Sequence, residues 1–132
     1  MEFVNIKDLL GIPYKQHGRD KTGFDCYGLV IFLYKRMGRN LPDYLYSKLG
    51  NNAFNEIGKS PSELTDGYGV EIDKPNYSDV IMFFDSKNRA VHIAFYLKND
   101  MFIHCDVRGV EVCKLKGFRY SNWRFYRWLP QK

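Results

Sequence analysis

The chain has 132 residues, of which 45% are hydrophobic and 17% aromatic, enough for one hydrophobic core of ordinary size. Its three cysteines include no CxxC pair, which argues against a disulfide framework and gives no indication of zinc binding. The formal charge of +5 favours anionic partners, such as nucleic acid, an acidic lipid surface or a bacterial wall polymer. We therefore expect a single folded domain over residues 1–132.

The N-terminal segment MEFVNIKDLLG has an acidic residue at position 2 and neither a basic leader nor an apolar core. No apolar run in the sequence approaches the ~18–20 residues of a membrane span. We expect a protein that is synthesised in the cytoplasm without a signal peptide and that has no membrane segment.

The first predicted elements are helical. The segment NIKDLLGIPY favours a short helical turn that ends at Gly11 and Pro13, and a polar, cationic loop, KQHGRDKTG, follows it. From Asp25 the apolar spacing becomes that of a helix, with Gly38 well placed just after its end. The apolar face of this helix consists of Leu29, Val30, Leu33 and Met37.

The remainder of the chain predicts a sheet. Residues 39–69 combine weak helical spacing with Asn, Gly, Ser and Pro, and we interpret them as a loosely helical connection. The C-terminal half then changes to short β-branched and aromatic segments separated by turn residues. Helices followed by an antiparallel meander of about five strands predict an α+β fold. The expected strands are residues 79–84, 91–97, 101–107, 110–115 and 125–129.

Two histidines lie in consecutive predicted strands. Alternation places His92 and Ala94 on one face of the first strand and His104 on one face of the second. The two strands flank a Lys-Asn-Asp tip. If Leu97 pairs with Met101 around this three-residue loop, Ala94 lies opposite His104, with His92 one diagonal step away on the same side. The two imidazoles are then neighbours, whereas a one-residue change in loop length moves His104 to the other face.

Cys26 lies in the first turn of the predicted helix. A helix N-terminus and a nearby imidazolium both stabilise a thiolate, so this cysteine could be a nucleophile with His92 as its base. His104 would then orient the base. The alternative is structural, because free cysteines are among the most buried residue types and strand histidines commonly have packing roles. Residue types and spacing alone leave both interpretations open.

Five motifs occur in a particular order, namely GIPY at 11–14, GFDCYGLV at 23–30, SDVIMFF at 78–84, HIAFYL at 92–97 and FIH at 102–104. In this order they resemble the NlpC family of cell-wall cysteine peptidases, whose fold is a compact papain-like one. The resemblance extends to the last predicted strand. It implies N-terminal helices packed on the antiparallel meander.

The resemblance implies a role for each matching residue. Cys26 would be the nucleophile, His92 the base and His104 the third member of the triad. Tyr14 would line the site and help to hold the oxyanion, and Asp25 would shape and cap the start of the helix. The implied substrate is the D-glutamyl–diamino acid amide of peptidoglycan stem peptides, and its hydrolysis would require no metal or cofactor.

Two positions depart from the family pattern. Tyr27 replaces the small serine that usually follows the nucleophile, and Ser78 replaces the glycine before Asp79. We expect Tyr27 to line the site, where it bears on substrate detail more than on catalysis. The stretches PYKQHGRDKTGFDCYGLV and LPDYLY resemble family members from phage tails, which implies tail or particle proteins as partners and a place in a virion tail.

The main alternative is a tail structural or assembly protein that keeps the fold without hydrolysis. The segment FRYSNWRFYRW also allows a nucleic-acid-binding module, but a closing strand explains it equally well and is the interpretation that we favour. We expect no nucleic acid partner and a solvated loop position for His17. Cys105 and Cys113 either alternate onto the face opposite His104 or lie mid-strand, so we expect buried structural thiols without a disulfide at both.

Overall fold

The computed structural model of the chain describes residues 3–41 and 69–128. Within these ranges one helix packs on an antiparallel sheet of six strands, which confirms the predicted α+β class. A 3-10 turn lies at Lys7–Leu9. The other elements are β1 (Arg19–Asp20), β2 (Gly23–Phe24), α1 (Cys26–Arg36), β3 (Gly69–Ile72), β4 (Val80–Phe84), β5 (Ala90–Lys98), β6 (Met101–Asp106), β7 (Gly109–Lys114) and β8 (Asn122–Trp128).

The strand order of the sheet is β3-β8-β4-β5-β6-β7. The five predicted strands correspond to β4–β8, with ends that differ by a few residues, but the prediction of a simple meander is wrong for the last one. β8 returns to pair with both β4 and β3, which the turn spacing of the sequence does not encode. β3 begins at the end of the segment that we interpreted as a helical connection. Residues 42–68 of that segment lie outside the described residues.

The β5–β6 hairpin sets the register of the histidines. Its turn consists of Asn99 and Asp100, with φ angles of 53° and 60°, the left-handed geometry of a two-residue hairpin turn. The predicted three-residue loop is therefore wrong. A bulge between Tyr96 and Lys98 takes up the extra residue, so that Tyr96 still pairs with Phe102. The register expected for His92 and His104 is kept, because the bulge adds one residue to β5 and the turn is one residue shorter.

Helix α1 has both of the predicted ends. The side chain of Asp25 accepts a hydrogen bond of 2.6 Å from the backbone N–H of Gly28, which caps the first turn. At the other end Gly38 has a φ of 78° and donates its N–H to the carbonyl of Lys35, while Arg39 donates to that of Tyr34. This pair of bonds is a Schellman motif, and it satisfies carbonyls that the helix leaves open.

The sheet is buried on both faces. Helix α1 covers one face, where Leu29 and Leu33 pack in a cluster with Phe95 and Ile103. The other face carries Ile81, Phe83, Ala94, Tyr96 and Phe102, together with Trp123 and Phe125 of β8, and it is covered by Phe118 and Tyr120 from the segment before β8. This second covering layer is why every residue of β4 is buried. In the described ranges, no helix combines the length and apolarity needed to cross a membrane.

Gly28 tests the close packing at the start of α1. A Cβ at this position would overlap the backbone carbonyl oxygen of Gly18 and lie 3.0 Å from a carboxylate oxygen of Asp25. Helix propensity alone predicts that Gly28→Ala adds about 0.5–1 kcal/mol of stability. We expect the overlap to dominate, with a net loss of about 1–3 kcal/mol in the free energy of unfolding.

Urea titration followed by circular dichroism measures this change. Lys35→Ala, an exposed position of the same helix, is the matched control and should stay within about 0.5 kcal/mol of the wild type. A Gly28→Ala protein that is more stable than the wild type would contradict the close approach of Gly18.

Candidate active site

Cys26 is the first residue of α1, and its side chain is buried, with 6% of the residue exposed. The backbone N–H groups of Ile93 and Tyr27 donate hydrogen bonds to its sulfur. Ile93 immediately follows His92 in β5, so the thiol contacts the sheet beside the predicted base. The pairing of Cys26 with His92 itself stays a prediction.

The thiol of Cys26 is protonated at neutral pH. Burial raises its pKa strongly, and the neighbouring carboxylate of Asp25 raises it further, while the two N–H donors oppose the rise. The N–H of Tyr27, in the first turn of the helix, lowers the pKa as a helix N-terminus is expected to, but burial outweighs this contribution. A nucleophilic Cys26 therefore needs a base that removes its proton during the attack.

The two imidazoles are buried neighbours, as the register predicts. Nε2 of His92 lies 2.8 Å from Nδ1 of His104, and the two rings are nearly perpendicular. They project from the face of the sheet opposite the helix, where Phe83 and Phe118 contact His92. Only 1% of His92 and none of His104 is exposed.

Glu111 extends this pair into a chain of three groups. Its Oε2 lies 3.0 Å from Nε2 of His104, directly across the β6–β7 ladder. A carboxylate only accepts, so His104 donates from Nε2 and accepts at Nδ1 from the Nε2–H of His92. The remaining nitrogen of His92, Nδ1, is left with a free lone pair, which is the state that a general base requires.

Both imidazoles are neutral at pH 7. Burial lowers the pKa of His92 well below its usual value, and His104 and the guanidinium of Arg119 lower it further. Burial also lowers the pKa of His104, although Asp106 and Glu111 partly oppose it. The pair therefore begins as an uncharged base and an uncharged partner.

Sequence reasoning placed Asp106 on the face of His104 but assigned no role to Asp106 or Glu111. Both lie on the same face as His104, since Glu111 pairs with it and Asp106 is two residues further along β6. The sequence could have indicated the position of Glu111, because a two-residue turn at Val107 and Arg108 pairs Glu111 with His104.

A cavity of about 600 Å³ opens beside His92. Asp106 is buried in its wall and accepts hydrogen bonds from the side chain of Arg119 at 2.7 Å and the backbone of Arg108 at 2.9 Å. The guanidinium of Arg119 also lies over the rings of Phe118 and Tyr120. Burial alone would raise the pKa of Asp106, but these donors outweigh it and lower the pKa.

The other predicted site residues have mostly structural contacts. Tyr14 is half-buried, and its backbone pairs with that of Phe24, two residues before the cysteine. Asp25 caps α1 and also accepts from Arg19 at 2.8 Å and from the backbone of His17 at 3.1 Å. Tyr27 is 2% exposed and belongs to the core cluster against α1. The site-lining roles of Tyr14 and Tyr27 stay predictions.

Cys105 and Cys113 are free thiols, like Cys26, but they lie on opposite faces of the sheet. Cys105 is fully buried and donates to the carbonyl of Phe24 at 3.2 Å. Cys113 lies on the face of the imidazoles, with its sulfur 3.4 Å from Nε2 of His104. Of the two alternatives expected for these cysteines, the face opposite His104 holds for Cys105 but not for Cys113, which is two residues from Glu111 on β7 and is half-buried.

A helix that starts at a cysteine, packed on an antiparallel sheet that holds paired imidazoles, is the arrangement of a papain-like domain. The chain belongs to the NlpC/P60 family, because the sequence pattern of that family matches residues 11–127. Among solved structures, an NlpC/P60 family protein from Bacillus cereus has a TM-score of 0.68 at 27% identity, covering 92% of this chain and 37% of that one. The NlpC/P60 domain of peptidoglycan hydrolase SagA shares the fold, with a TM-score of 0.60 at 21% identity over 90% of this chain and 89% of that domain.

Two curated relatives are longer proteins. The probable peptidoglycan endopeptidase LytE of Bacillus subtilis is 26% identical over 123 residues, which are 91% of this chain and 30% of LytE. Murein DD-endopeptidase MepH of Escherichia coli is 30% identical over 105 residues, which are 78% of this chain and 34% of MepH. The chain thus spans about a third of the length of these relatives.

The buried neutral imidazoles make stability depend on pH. Below pH ~6.5 the unfolded chain binds more protons on these histidines than the folded chain does, so the free energy of unfolding falls as the pH drops. Each histidine contributes a slope of at most about 1.4 kcal/mol per pH unit. We expect His104→Asn to lower the slope below pH ~6.5, because it removes a buried imidazole whose pKa is lowered in the folded chain.

Urea titrations at several pH values, in buffer with a chelator, measure the slope. His17→Asn is the matched control, because His17 is exposed, and it should leave the slope unchanged. Asp106, Glu111 and Arg119 face the pair and are present in both variants. Loss of His104 also removes one of the groups that lower the pKa of His92, so both effects reduce the slope. Equal slopes for His104→Asn and the wild type would contradict a buried, neutral His104.

Proposed function

We propose that this domain is a cysteine peptidase that hydrolyses amide bonds of peptidoglycan stem peptides, with Cys26 as nucleophile, His92 as base and His104 as the residue that orients the base. The observation that carries the proposal is the buried hydrogen-bonded chain from Glu111 through His104 to His92, which leaves Nδ1 of His92 as an acceptor. Membership of the NlpC/P60 family and the names of LytE and MepH support the substrate class.

The reaction proceeds by nucleophilic catalysis. Nδ1 of His92 takes the thiol proton of Cys26 as the sulfur attacks the amide carbon, and a tetrahedral intermediate forms. The backbone N–H of Cys26 and the hydroxyl of Tyr14 stabilise the oxyanion. Collapse breaks the C–N bond, His92 returns its proton to the leaving amine, and a thioester remains. Water, deprotonated by His92, then releases the acid and restores the thiol.

A neutral pair suits this sequence of proton transfers. The imidazolium that forms on His92 is stabilised by the carboxylate of Glu111 acting through His104, and by Asp106. Arg119 opposes it, because its positive charge lowers the pKa of His92. The base is therefore charged only while the oxyanion is present to compensate it.

The substrate that we propose is the amide between D-glutamate and the diamino acid. Stem peptides carry free carboxylates, and Arg108 and Arg119 line the cavity beside His92. The name of MepH specifies a DD-endopeptidase, so cross-linked muropeptides belong in the same assay. For the biological setting we propose the tail of a phage or a related particle, on the resemblance of the segments around Tyr14 and Cys26. A tail structural protein without hydrolysis is the second candidate.

Purified muropeptides of the diaminopimelate and lysine types test the activity. We expect Cys26→Ala to abolish cleavage and His92→Gln to lower kcat by about 10²–10⁴, the usual contribution of a general base. Glu111→Gln should lower kcat by about tenfold, because it acts through His104. Product masses identify the bond that is cut.

His17→Asn serves as the matched histidine control and should retain wild-type rates. Circular dichroism of each variant shows whether it is folded. Equal products from folded wild type and folded Cys26→Ala would contradict the nucleophile. No cleavage of any muropeptide by the folded wild type would favour the structural tail protein.

Arg119 is expected to select carboxylate-bearing peptides. Its guanidinium is partly exposed at the cavity and partly held by Asp106, so it is oriented towards a bound anion. We expect Arg119→Ala to raise KM by about tenfold for peptides with a free α-carboxylate on D-glutamate, the size of one charge-assisted hydrogen bond. The same peptide with that carboxylate amidated should lose this discrimination. A KM effect of equal size on both peptides would contradict a direct contact.

A further inference from the structure

Three side chains with metal-binding atoms converge at the far end of the imidazole chain. Nε2 of His104, Oε2 of Glu111 and Sγ of Cys113 all lie within 4.8 Å of one another. The individual separations are 3.0 Å between His104 and Glu111, 3.4 Å between Cys113 and His104, and 3.4 Å between Cys113 and Glu111. They form a nearly equilateral triangle of nitrogen, oxygen and sulfur.

These separations match a tetrahedral zinc site. Zinc binds nitrogen at about 2.0–2.1 Å, carboxylate oxygen at about 2.0–2.2 Å and thiolate sulfur at about 2.3 Å, so its tetrahedral ligands lie about 3.3–3.6 Å apart. The triangle needs shifts of only a few tenths of an ångström to reach those values. The mixture of imidazole, thiolate and carboxylate also favours zinc over magnesium or calcium, which prefer oxygen ligands.

We propose that His104, Glu111 and Cys113 bind a zinc ion, with water as the fourth ligand, and that this zinc switches the candidate peptidase off. The switching half of this proposal rests on the proposed function, whereas the binding half does not. Sequence reasoning missed the site because its ligands come from two strands. They are adjacent only in the β6–β7 register.

Charge and access are consistent with a bound cation. Deprotonation of Cys113 releases one proton to solvent, and the resulting thiolate with the Glu111 carboxylate balances the two charges of the metal. The guanidinium of Arg108 donates a hydrogen bond of 2.8 Å to Oε2 of Glu111, and a metal must compete with Arg108 for this oxygen. The side chain of Arg108 is 61% exposed, so it can turn into solvent. Glu111 and Cys113 are themselves partly exposed, which gives the metal an entry path.

Zinc at this position reverses the hydrogen bond between the imidazoles. A metal takes the lone pair of His104 Nε2, so the proton of that ring moves to Nδ1. Nδ1–H of His104 then donates to Nε2 of His92, which must give up its own proton there and carry it on Nδ1. Each ring keeps one proton. The lone pair that should accept the thiol proton of Cys26 is thereby lost, and the base is inactive.

Cobalt(II), a spectroscopic substitute for zinc, tests the site without reference to activity. We expect the chelator-treated full chain to bind one cobalt with a thiolate-to-metal charge-transfer absorption, and Cys113→Ser to lack that absorption. Cys26→Ser is the matched control and should retain it. In competition with a chromogenic chelator, zinc affinity should fall by about tenfold or more in Cys113→Ser and Glu111→Gln. Unchanged affinity in both variants, or loss of the absorption in Cys26→Ser, would overturn the site.

Nitrogen-15 NMR of the histidine rings tests the reversal directly. Without metal, His92 and His104 should both carry their protons on Nε2, and one equivalent of zinc should move both protons to Nδ1. Tautomers that do not change when zinc binds would overturn the switch even if the site is real. His17, exposed and distant from β6 and β7 in sequence, reports any non-specific effect of the metal.

The muropeptide assay tests whether zinc binding also inhibits the peptidase. Zinc should inhibit the wild type at its binding concentration by lowering kcat, and should inhibit Cys113→Ser at least about tenfold more weakly relative to that variant's own zinc-free rate. Activity that requires zinc and disappears with a chelator would overturn the switch. If cobalt binds as expected but no muropeptide is cut, the proposed function fails and the metal site stands.

Discussion

The hydrogen bond between the imidazoles of His92 and His104 is the constraint on which the rest of the site depends. Two polar rings are buried among Phe83, Phe102 and Phe118, and either one left without a partner would cost about 1–3 kcal/mol. The 2.8 Å contact removes that cost only if β5 and β6 keep their register. A slip of one residue would move His104 to the helix side and leave two buried unpaired rings. Fold stability and site geometry therefore depend on the same ladder.

Burial has opposite consequences for structure and for chemistry. It holds Cys26 and His92 in fixed positions, but it also raises the pKa of the thiol and lowers that of the imidazole, so neither is charged at rest. Burial is the largest cost of a charge on His92, and Arg119 and Asp106 act on that charge in opposite directions. With the two opposite charges 2.7 Å apart, their fields largely cancel at the base while both remain available in the cavity wall. A substrate that engages Arg119 would weaken that compensation and favour the imidazolium.

Much of the fold could be predicted from local signals. The cap at Asp25, the glycine at 38 and the alternation around His92 each reflect interactions within a few residues, and all appear where the sequence places them. The insertion of β8 between β3 and β4 could not be predicted, because strand order depends on long-range packing. Glu111 and Cys113 were missed for a different reason, since their roles follow from the cross-strand register of the β6–β7 hairpin rather than from a motif, although the two-residue turn of that hairpin sets the register locally.

Ser78 and Tyr27, the two departures from the family pattern, can be understood from the backbone and the core. Ser78 has a φ of 77°, a left-handed conformation in which a side chain costs about 1–2 kcal/mol and glycine costs nothing. Its N–H and carbonyl are nonetheless held by Tyr96 and by the hydroxyl of Tyr34, which stabilise the conformation without glycine. Tyr27 fills core volume that a serine would leave open, while its backbone N–H still donates to the sulfur of Cys26. Tyr27 therefore changes the packing beside the nucleophile, whereas Ser78 changes the backbone turn that leads into β4.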